Sequence, residues 1–138
     1  MKKKIDITVC ILNYNNGEIT KKCIQSLHDL TAGISLEIIV VDNKSTDNSL
    51  EILNTINDII LIKAEYNCGF SMGCNLALRK ASGKYSILLN NDTILKKRNI
   101  LLKNELEKYF KNPIKNNILL MELSTKLYEK GYSGIDLI

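Results

Sequence analysis

The sequence predicts an α/β fold in which a doubly wound, mostly parallel sheet carries helices on both faces. Two observations support this fold class. Short apolar segments alternate with amphipathic segments through residues 5–89, which is the pattern of repeated strand–helix units. Each apolar segment is also followed by polar residues, and in such sheets the ligand-binding side chains collect at the carboxyl ends of the strands. We therefore expect three layers, α/β/α.

Four segments have the composition of strands. Residues 5–12 are rich in β-branched and apolar residues and stop at a turn-forming Asn-Tyr-Asn-Asn-Gly sequence. Residues 36–41 form a nearly continuous apolar run, which is typical of a strand buried on both faces of a parallel sheet. Residues 59–62 and 85–89 are shorter apolar segments. These four segments predict the strands of the sheet.

Two of the intervening segments have the spacing or the start signal of a helix. In residues 18–30, apolar side chains recur three or four positions apart and share one helical face. A second helix is expected to run to about residue 56, with Asp47 or Thr46 as its cap.

The third predicted helix and the end of the chain complete the pattern. Apolar and small residues repeat at helical spacing over residues 70–81, and Gly83 is placed to end that helix in the left-handed conformation. Beyond it, residues 99–110 predict an amphipathic helix and residues 118–121 a short strand. Residues 131–138 show no clear pattern.

The composition indicates one folded, soluble core. The chain has 138 residues, of which 45% are hydrophobic, and a single proline, so it is neither fibrous nor disordered. Its net charge of +4 is uneven, because residues 1–95 carry 10 basic and 10 acidic side chains while residues 96–138 carry 9 and 5. We therefore divide the chain into a core, residues 1–95, and a basic helical C-terminal extension, residues 96–138.

Cysteine spacing and the N-terminal sequence indicate the compartment. The four cysteines form no Cys-x-x-Cys pair, so buried or half-buried free thiols are expected. The apolar segment after the N-terminal lysines is interrupted by Asp6 and ends at Asn13, which is too short for a signal peptide. No segment is long enough to span a bilayer. A cytoplasmic location follows as the expectation.

The polar residues that follow the four strands predict a ligand site at one edge of the sheet. They are Asn13-Tyr14-Asn15, Asp42-Asn43, Asn67 and Asn90-Asn91-Asp92. The first turn contains neither the Gly-x-Gly-x-x-Gly sequence nor a P-loop, so another device has to hold the phosphates of a nucleotide. A divalent cation on Asp92 is one such device, because Mg²⁺ usually takes one or two carboxylates and fills its shell with water and ligand phosphates.

Four sequence motifs carry a resemblance to a known family. They are VCILNYN at 9–15, EIIVVDNKSTDNS at 37–49, NCGFSMGCNLAL at 67–78 and GKYSILLNNDT at 83–93. In this order they resemble the successive motifs of the inverting nucleotide-sugar glycosyltransferase family 2, which has the GT-A fold. Their VVDNxSTD, NxGF and LLNND forms are most similar to rhamnosyltransferase-like members that build bacterial cell-surface polysaccharide.

The resemblance implies a pyrimidine subsite on residues 1–95, the expected nucleotide-sugar donor-binding core. By that match Tyr14 packs against the base and Asp42, followed by Asn43, accepts a hydrogen bond from the N3–H of uracil or thymine. The chemistry is sound, since an aromatic face supplies stacking and a carboxylate accepts from an imide. The alternative for Asp42 is a turn residue that binds its own backbone, and the alternative for Tyr14 is a cover for the sheet edge.

The resemblance also implies a diphosphate subsite. Asn91 would lie near the donor ribose or phosphates, and Asp92 would coordinate Mg²⁺ or Mn²⁺ bridging the diphosphate. The sequence departs from the family's D-x-D pattern because Asn90 and Asn91 are neutral amides. One carboxylate would then hold the metal together with the diphosphate, so affinity for the metal alone should be weak. The alternative is an Asn-Asp-Thr turn with Asp92 as a helix cap.

The third motif is expected to shape the pocket under the donor through Asn67, Gly69 and Asn75. Gly69 would allow a backbone conformation or a close approach that a side chain forbids. The alternative for Asn67 and Gly69 is an ordinary loop.

Two functions from different classes remain open at this stage. The first is a glycosyltransferase, or its donor-binding part, that uses a UDP- or dTDP-sugar and a glycan or lipid-linked acceptor. The second is a catalytically inactive nucleotide-sugar binding module. The family's general base is a downstream carboxylate, and the 46 residues after Asp92 contain no recognisable catalytic motif, so the catalytic residue is unknown and the acceptor region is expected to be truncated, divergent or supplied by another chain.

The basic extension is consistent with more than one environment. Residues 96–98 and nearby lysines could contact anionic lipid at the inner face of a membrane or form a solvated helix face. No nucleic-acid partner is expected, because aromatic residues make up 6% of the chain and no stacking platform or recognition motif is present.

Overall fold

A computed structural model describes residues 4–30, 33–95 and 135–137 of the chain. Its centre is a parallel four-stranded sheet with the order β3-β2-β1-β4. The strands are β1 (Ile7–Asn13), β2 (Leu36–Asp42), β3 (Ile60–Lys63) and β4 (Tyr85–Asn90). The helices between them are α1 (Gly17–Leu30), α2 (Ser49–Asn54) and α3 (Gly69–Leu78). The predicted α/β fold class is confirmed.

The helices cover both faces of the sheet. Alternate residues of β1 and β2 point to opposite faces, as the two-residue period of a strand requires. One face packs on α1 and α2 through Ile24 and Leu53. The opposite face packs on α3 through Ala77. The inner part of β2, from Ile38 to Val41, is buried throughout, which explains its continuous apolar sequence.

A short antiparallel pair lies next to the main sheet. β5 (Thr93–Leu95) pairs with β6 (Ile135–Leu137), and neither strand was predicted. β6 falls within residues 131–138, where the sequence shows no pattern. The helix predicted for residues 99–110 and the strand predicted for residues 118–121 lie outside the described residues. The division at residues 95 and 96 stays a prediction, and the β5–β6 pair joins the two proposed parts.

The prediction that Gly83 ends the third helix in the left-handed conformation is wrong. α3 ends at Leu78, and the next residue, Arg79, still has right-handed helical angles. Gly83 has no positive φ. A Cβ at Gly83 would instead lie 2.6 Å from the backbone nitrogen of Thr8. Glycine is needed here because the chain entering β4 passes directly against β1.

The cysteines of the structure match the expectation from the sequence. All four cysteines are free, three of them buried and Cys68 half-buried, as predicted. In the described ranges, no helix is long and apolar enough to cross a membrane.

Candidate functional site

Asp42 lies at the carboxyl end of β2 and is only 1% exposed. Its Oδ1 accepts hydrogen bonds from Asn13 Nδ2, at 2.9 Å, and from Ser45 Oγ, at 2.6 Å. Its Oδ2 accepts one from the backbone N–H of Ser45, at 3.0 Å. The last bond is of the kind that the alternative interpretation of Asp42, a turn residue that binds backbone, leads us to expect. It also leaves one acceptor position on Oδ2, since a carboxylate oxygen accepts two hydrogen bonds.

The loops that follow β1 and β2 are joined through Ser45. The Ser45 hydroxyl accepts from the backbone N–H of Asn15, at 2.9 Å, while it donates to Asp42. In return, Asn15 Oδ1 accepts from the backbone N–H of Thr46, at 2.7 Å. Asn15 and Lys44 both have positive φ, +52° and +63°, a left-handed conformation that asparagine tolerates and that is costly for lysine. These reciprocal bonds hold both loops in one arrangement.

A second contact joins the starts of the two helices that follow these loops. The Gly17 N–H, at the start of α1, donates to Ser49 Oγ at 2.9 Å. A Cβ on Gly17 would lie 2.7 Å from the Cα of Ser49. The start of α1 therefore meets the start of α2 with no room for a side chain, and this close contact supports the rim beside Asp42.

A second hydrogen-bonded group surrounds Asn43, which is buried. Its Nδ2 donates to Asn67 Oδ1 at 3.0 Å and to the carbonyl oxygen of Gly69 at 3.3 Å. Its Oδ1 accepts from the backbone N–H and the thiol of Cys68, at 2.9 and 3.2 Å. Asn67 Oδ1 also accepts from the Gly69 N–H. Both Asn43 and Asn67 are thus used to fix the turn that opens α3.

Glycine is favoured at position 69 because of its backbone conformation. Its φ is +77°, and a Cβ there would have nothing within 4 Å. Of the two explanations open at the sequence level, the structure therefore selects the unusual φ. Asn75, from the same motif, lies in the second half of α3, where it is exposed, and it takes no part in the hydrogen bonds of Asn43.

A third group joins Asn91 to the interior. Asn91 Nδ2 donates to Thr20 Oγ1 at 3.0 Å, and Thr20 Oγ1 donates to Asn13 Oδ1 at 2.7 Å. Thr20 and Asn13 are fully buried. Thr20 was missed at the sequence level, although a signal existed. It lies one turn before Ile24 on the buried face of α1, where a polar side chain must find a partner.

Asp92 lies in the turn between β4 and β5. The turn interpretation holds, but the strand that follows means that Asp92 does not cap a helix. Its Oδ1 is buried and accepts no hydrogen bond from the residues described, so this carboxylate has unused lone pairs. Within the same residues, no three His, Cys, Asp or Glu side chains converge as a ready metal cage. The donor set fits a hard cation that takes one carboxylate and completes its shell from a ligand.

Tyr14 is an exposed aromatic residue of the rim. It follows β1 directly, and 43% of its surface is accessible, so one aromatic side chain is available beside the buried Asp42. The structure therefore brings most of the predicted site residues to one edge of the sheet. They are Tyr14, Asp42, Asn43, Asn67, Gly69, Asn91 and Asp92.

Comparison with known proteins places this arrangement in a family. The family model described as Glycosyl transferase family 2 matches residues 8–115. The chain is 31% identical over 98 residues to Glycosyltransferase GlyG of Streptococcus pneumoniae, an overlap that covers 68% of this chain and 32% of the relative. It is 34% identical over 88 residues to the Escherichia coli UDP-Glc:alpha-D-GlcNAc-diphosphoundecaprenol beta-1,3-glucosyltransferase WfaP, covering 62% and 35%.

A third relative and two solved structures extend the comparison. The Bacillus spizizenii poly(ribitol-phosphate) beta-glucosyltransferase is 34% identical over 93 residues, covering 62% of this chain and 14% of the relative. The fold matches the mannosyltransferase PcManGT from Pyrobaculum calidifontis, in complex with GDP-Man and Mn²⁺, with a TM-score of 0.69, 24% identity, and coverage of 81% and 34%. It matches S. aureus TarS in complex with UDP with a TM-score of 0.65, 23% identity, and coverage of 74% and 31%.

The chain is much shorter than the relatives it matches. The chain spans about a third or less of the curated relatives it matches. The structural matches bear on the fold alone.

Proposed function

The chain belongs to glycosyl transferase family 2, and we propose that its sheet edge binds a UDP- or dTDP-sugar donor for transfer to a glycan or lipid-linked acceptor. The observation that carries the proposal is that Tyr14 and Asp42 follow or end adjacent strands. Tyr14 offers an exposed aromatic face, and Asp42 offers a buried carboxylate with one remaining acceptor position.

In the proposed pyrimidine subsite, the base stacks on Tyr14 and its N3–H donates to Asp42 Oδ2. Stacking is tolerant of base identity, so the hydrogen bond supplies the specificity. Uracil and thymine present a donor at N3, whereas cytosine presents an acceptor there. The Ser45 and Asn13 donors already occupy Asp42 Oδ1, which fixes the carboxylate before the ligand arrives and reduces the ordering cost of binding.

In the proposed diphosphate subsite, Asn91 lies beside the ribose and phosphates and Asp92 holds the cation. The unused lone pairs of Asp92 Oδ1 support this role. A bound Mg²⁺ or Mn²⁺ would offset the charge that develops on the leaving diphosphate. Because one carboxylate offers few ligands, the diphosphate itself has to complete the cation's shell, and nucleotide and metal should bind together.

The proposed reaction is an inverting displacement. The acceptor hydroxyl attacks the anomeric carbon as the bond from that carbon to the diphosphate oxygen breaks, and a general base takes the hydroxyl proton. The described residues supply the donor side of this reaction. None of the described residues is assigned as that base.

The names of the relatives support the proposed acceptor class. Two of them are named for acceptors that are a poly(ribitol-phosphate) and a diphosphoundecaprenol-linked sugar. We propose a role in bacterial cell-surface polysaccharide synthesis, in the cytoplasm or peripherally at the inner face of the membrane, with a rhamnosyltransferase-like specificity. The lysines and arginine of residues 96–98 supply the positive charge for contact with anionic lipid. Pelleting with anionic vesicles at low salt, lost at raised salt, is the expected result.

The test of donor binding is calorimetric titration with UDP and dTDP, with and without Mn²⁺. Tyr14→Ala should weaken binding about tenfold, because stacking on an aromatic side chain contributes roughly 1–3 kcal/mol per base. Tyr66→Ala is the matched control, since Tyr66 is also exposed, at 61%, and has no assigned contact with the nucleotide. Absence of nucleotide binding by the wild-type chain would refute the proposal.

A donor-hydrolysis assay on the same protein separates the two function classes. Release of free sugar from a bound UDP-sugar shows chemistry, whereas tight binding without release identifies a nucleotide-sugar binding module.

A further inference from the structure

Four side chains form one continuous line of hydrogen bonds across the sheet edge. Asn91 Nδ2 donates to Thr20 Oγ1 at 3.0 Å, Thr20 Oγ1 donates to Asn13 Oδ1 at 2.7 Å, and Asn13 Nδ2 donates to Asp42 Oδ1 at 2.9 Å. The line begins at a residue of the proposed diphosphate subsite and ends at the carboxylate of the proposed pyrimidine subsite. Its two middle members are fully buried, and neither is assigned a contact with a ligand.

The line has one direction. Asp42 is a carboxylate and presents acceptor oxygens to Asn13, so Asn13 turns its Nδ2 toward Asp42 and its Oδ1 toward Thr20. Thr20 has one hydroxyl proton, and the Asn13 oxygen takes it. The Thr20 oxygen can then only accept from Asn91. The orientation of the Asn91 amide is therefore set by the carboxylate at the other end of the line, and hydrogen bonds aligned in this way strengthen one another.

Asp42 and Asn91, the two ends of the line, differ in how much their side-chain positions depend on these hydrogen bonds. Asp42 receives three side-chain hydrogen bonds from the described residues, two of them from Ser45. Asn91 makes a single side-chain hydrogen bond within the described part of the chain, the one to Thr20. Removal of the Thr20 hydroxyl should therefore release Asn91 while Asp42 keeps its two bonds to Ser45.

The same face of α1 docks the whole segment that carries Asp92. Thr20, Cys23 and Ser26 lie three residues apart, on one face of the helix. The Cys23 thiol donates to the carbonyl oxygen of Asn90 at 3.8 Å, and Ser26 Oγ accepts from the Leu95 N–H at 3.1 Å. Thr20 is the member of this row that binds a proposed site residue directly.

We propose that Thr20 is a positioning residue that holds Asn91 in the orientation needed by the diphosphate subsite. This inference rests on the proposed donor-binding function and deepens it. Loss of the hydroxyl leaves the base contact nearly unchanged and weakens the part of binding that depends on the diphosphate and the metal.

The test compares uridine with UDP plus Mn²⁺ by calorimetric titration on the wild-type chain and on Thr20→Val, which keeps the shape and removes the hydroxyl. We expect the affinity for UDP with Mn²⁺ to fall about tenfold, the effect of one lost hydrogen bond and an unpaired partner, and that for uridine to fall less than about threefold. Thr20→Ser, which retains the hydroxyl, should restore most of the UDP affinity.

Two controls separate positioning from a loss of stability. Thr8→Val removes the hydroxyl of another fully buried threonine, which lies near the amino end of β1 and so at the end of the strand away from the site. It should lower the melting temperature without changing the ratio of the two affinities. In the double variant Thr20→Val/Asn91→Ala, UDP binding should be no weaker than in Asn91→Ala alone, because Thr20 acts through Asn91.

The outcomes are distinguishable. Suppose that the wild type binds UDP. The positioning role alone would then be overturned if Thr20→Val lost affinity for UDP and uridine by the same factor, or if the losses in the double variant were additive. Absence of wild-type binding would overturn the proposed function and this inference with it.

Discussion

The Ser45 hydroxyl lies 2.6 Å from Asp42 Oδ1, and the Ser45 backbone N–H lies 3.0 Å from Oδ2 of the same carboxylate. A single residue thus binds both oxygens of the most deeply buried charged side chain of the rim. The same hydroxyl accepts from the Asn15 N–H, so Ser45 connects two loops as well as fixing the carboxylate.

Ser45→Ala should destabilise the fold and weaken nucleotide binding together. The change leaves Asp42 Oδ1 with one donor fewer and the Asn15 N–H without its acceptor, a loss of about 1–3 kcal/mol in the free energy of unfolding. Urea denaturation measures it. Thr55→Val is the control, because the Thr55 hydroxyl is exposed and binds only a nearby backbone carbonyl. A midpoint for Ser45→Ala equal to that of the control would contradict the role of Ser45.

Gly83→Ala should be markedly destabilising, whereas Gly33→Ala should cost less. A Cβ on Gly83 would overlap the backbone of β1, with 2.6 Å to the Thr8 nitrogen, while Gly33 has a φ of +87° and open space around it. We expect a loss of about 1–3 kcal/mol or more for Gly83→Ala, since the overlap is with backbone and cannot be relieved by a rotamer change. Thermal denaturation of both variants gives the comparison, and the reverse order would refute the explanation given for Gly83.

The buried thiols should make the fold less stable in alkaline solution. Burial raises the pKa of Cys10 from 9.0 to about 11 and that of Cys23 to about 12. The unfolded chain therefore loses these protons first as the pH rises above 9, and the free energy of unfolding falls by up to about 1.4 kcal/mol per pH unit for each thiol.

Urea midpoints from about pH 8.5 to about pH 10.5 test this dependence. The variant Cys23→Ala should show a shallower fall than the wild type, because the thiol with the pKa raised to about 12 is gone while the other cysteines are kept. Identical slopes for the two proteins would show that Cys23 titrates alike in the folded and unfolded states.

Asp92→Asn should remove most of the effect of Mn²⁺ on UDP binding while leaving metal-free binding of UDP nearly unchanged. The amide keeps the size of the side chain but loses the negative charge that would hold the cation. Calorimetric titration of UDP at several Mn²⁺ concentrations measures the effect. Asp58→Asn, an exposed carboxylate before β3, is the matched control. An unchanged enhancement by Mn²⁺ in Asp92→Asn would assign the cation to other ligands.

The elements that follow from local patterns were predictable from the sequence. β2 is an unbroken apolar run because both of its faces are buried, and α1 shows its buried face in the spacing of Cys23 and Leu27. The β5–β6 pair was not predictable, because three-residue strands carry little periodicity and their pairing is long-range. The role of Gly83 was missed for a similar reason, since the clash with Thr8 involves a residue 75 positions earlier in the chain.

The candidate site also contains residues that the sequence predicts and contacts that it does not. Its positions at strand ends follow from the rule for parallel sheets, which is why Tyr14, Asp42 and Asp92 could be named in advance. The spacing of α1 places Thr20 on the buried face, but its bond to Asn91 could not be predicted, because Asn91 is 71 positions later in the chain and only the fold brings the two together. Hydrogen-bond partners of this kind depend on tertiary packing, and a sequence pattern does not encode them.

The most direct measurement of the central claim is the affinity of the wild-type chain for UDP against CDP, both with Mn²⁺. The two nucleotides share the ribose, the diphosphate and a stacking base, and they differ in whether N3 donates or accepts. If Asp42 Oδ2 accepts from N3–H, UDP should bind at least about tenfold more tightly, since CDP would place an acceptor against a buried carboxylate. Equal affinities for UDP and CDP would contradict the account of the sheet edge as a site that recognises the base through Asp42.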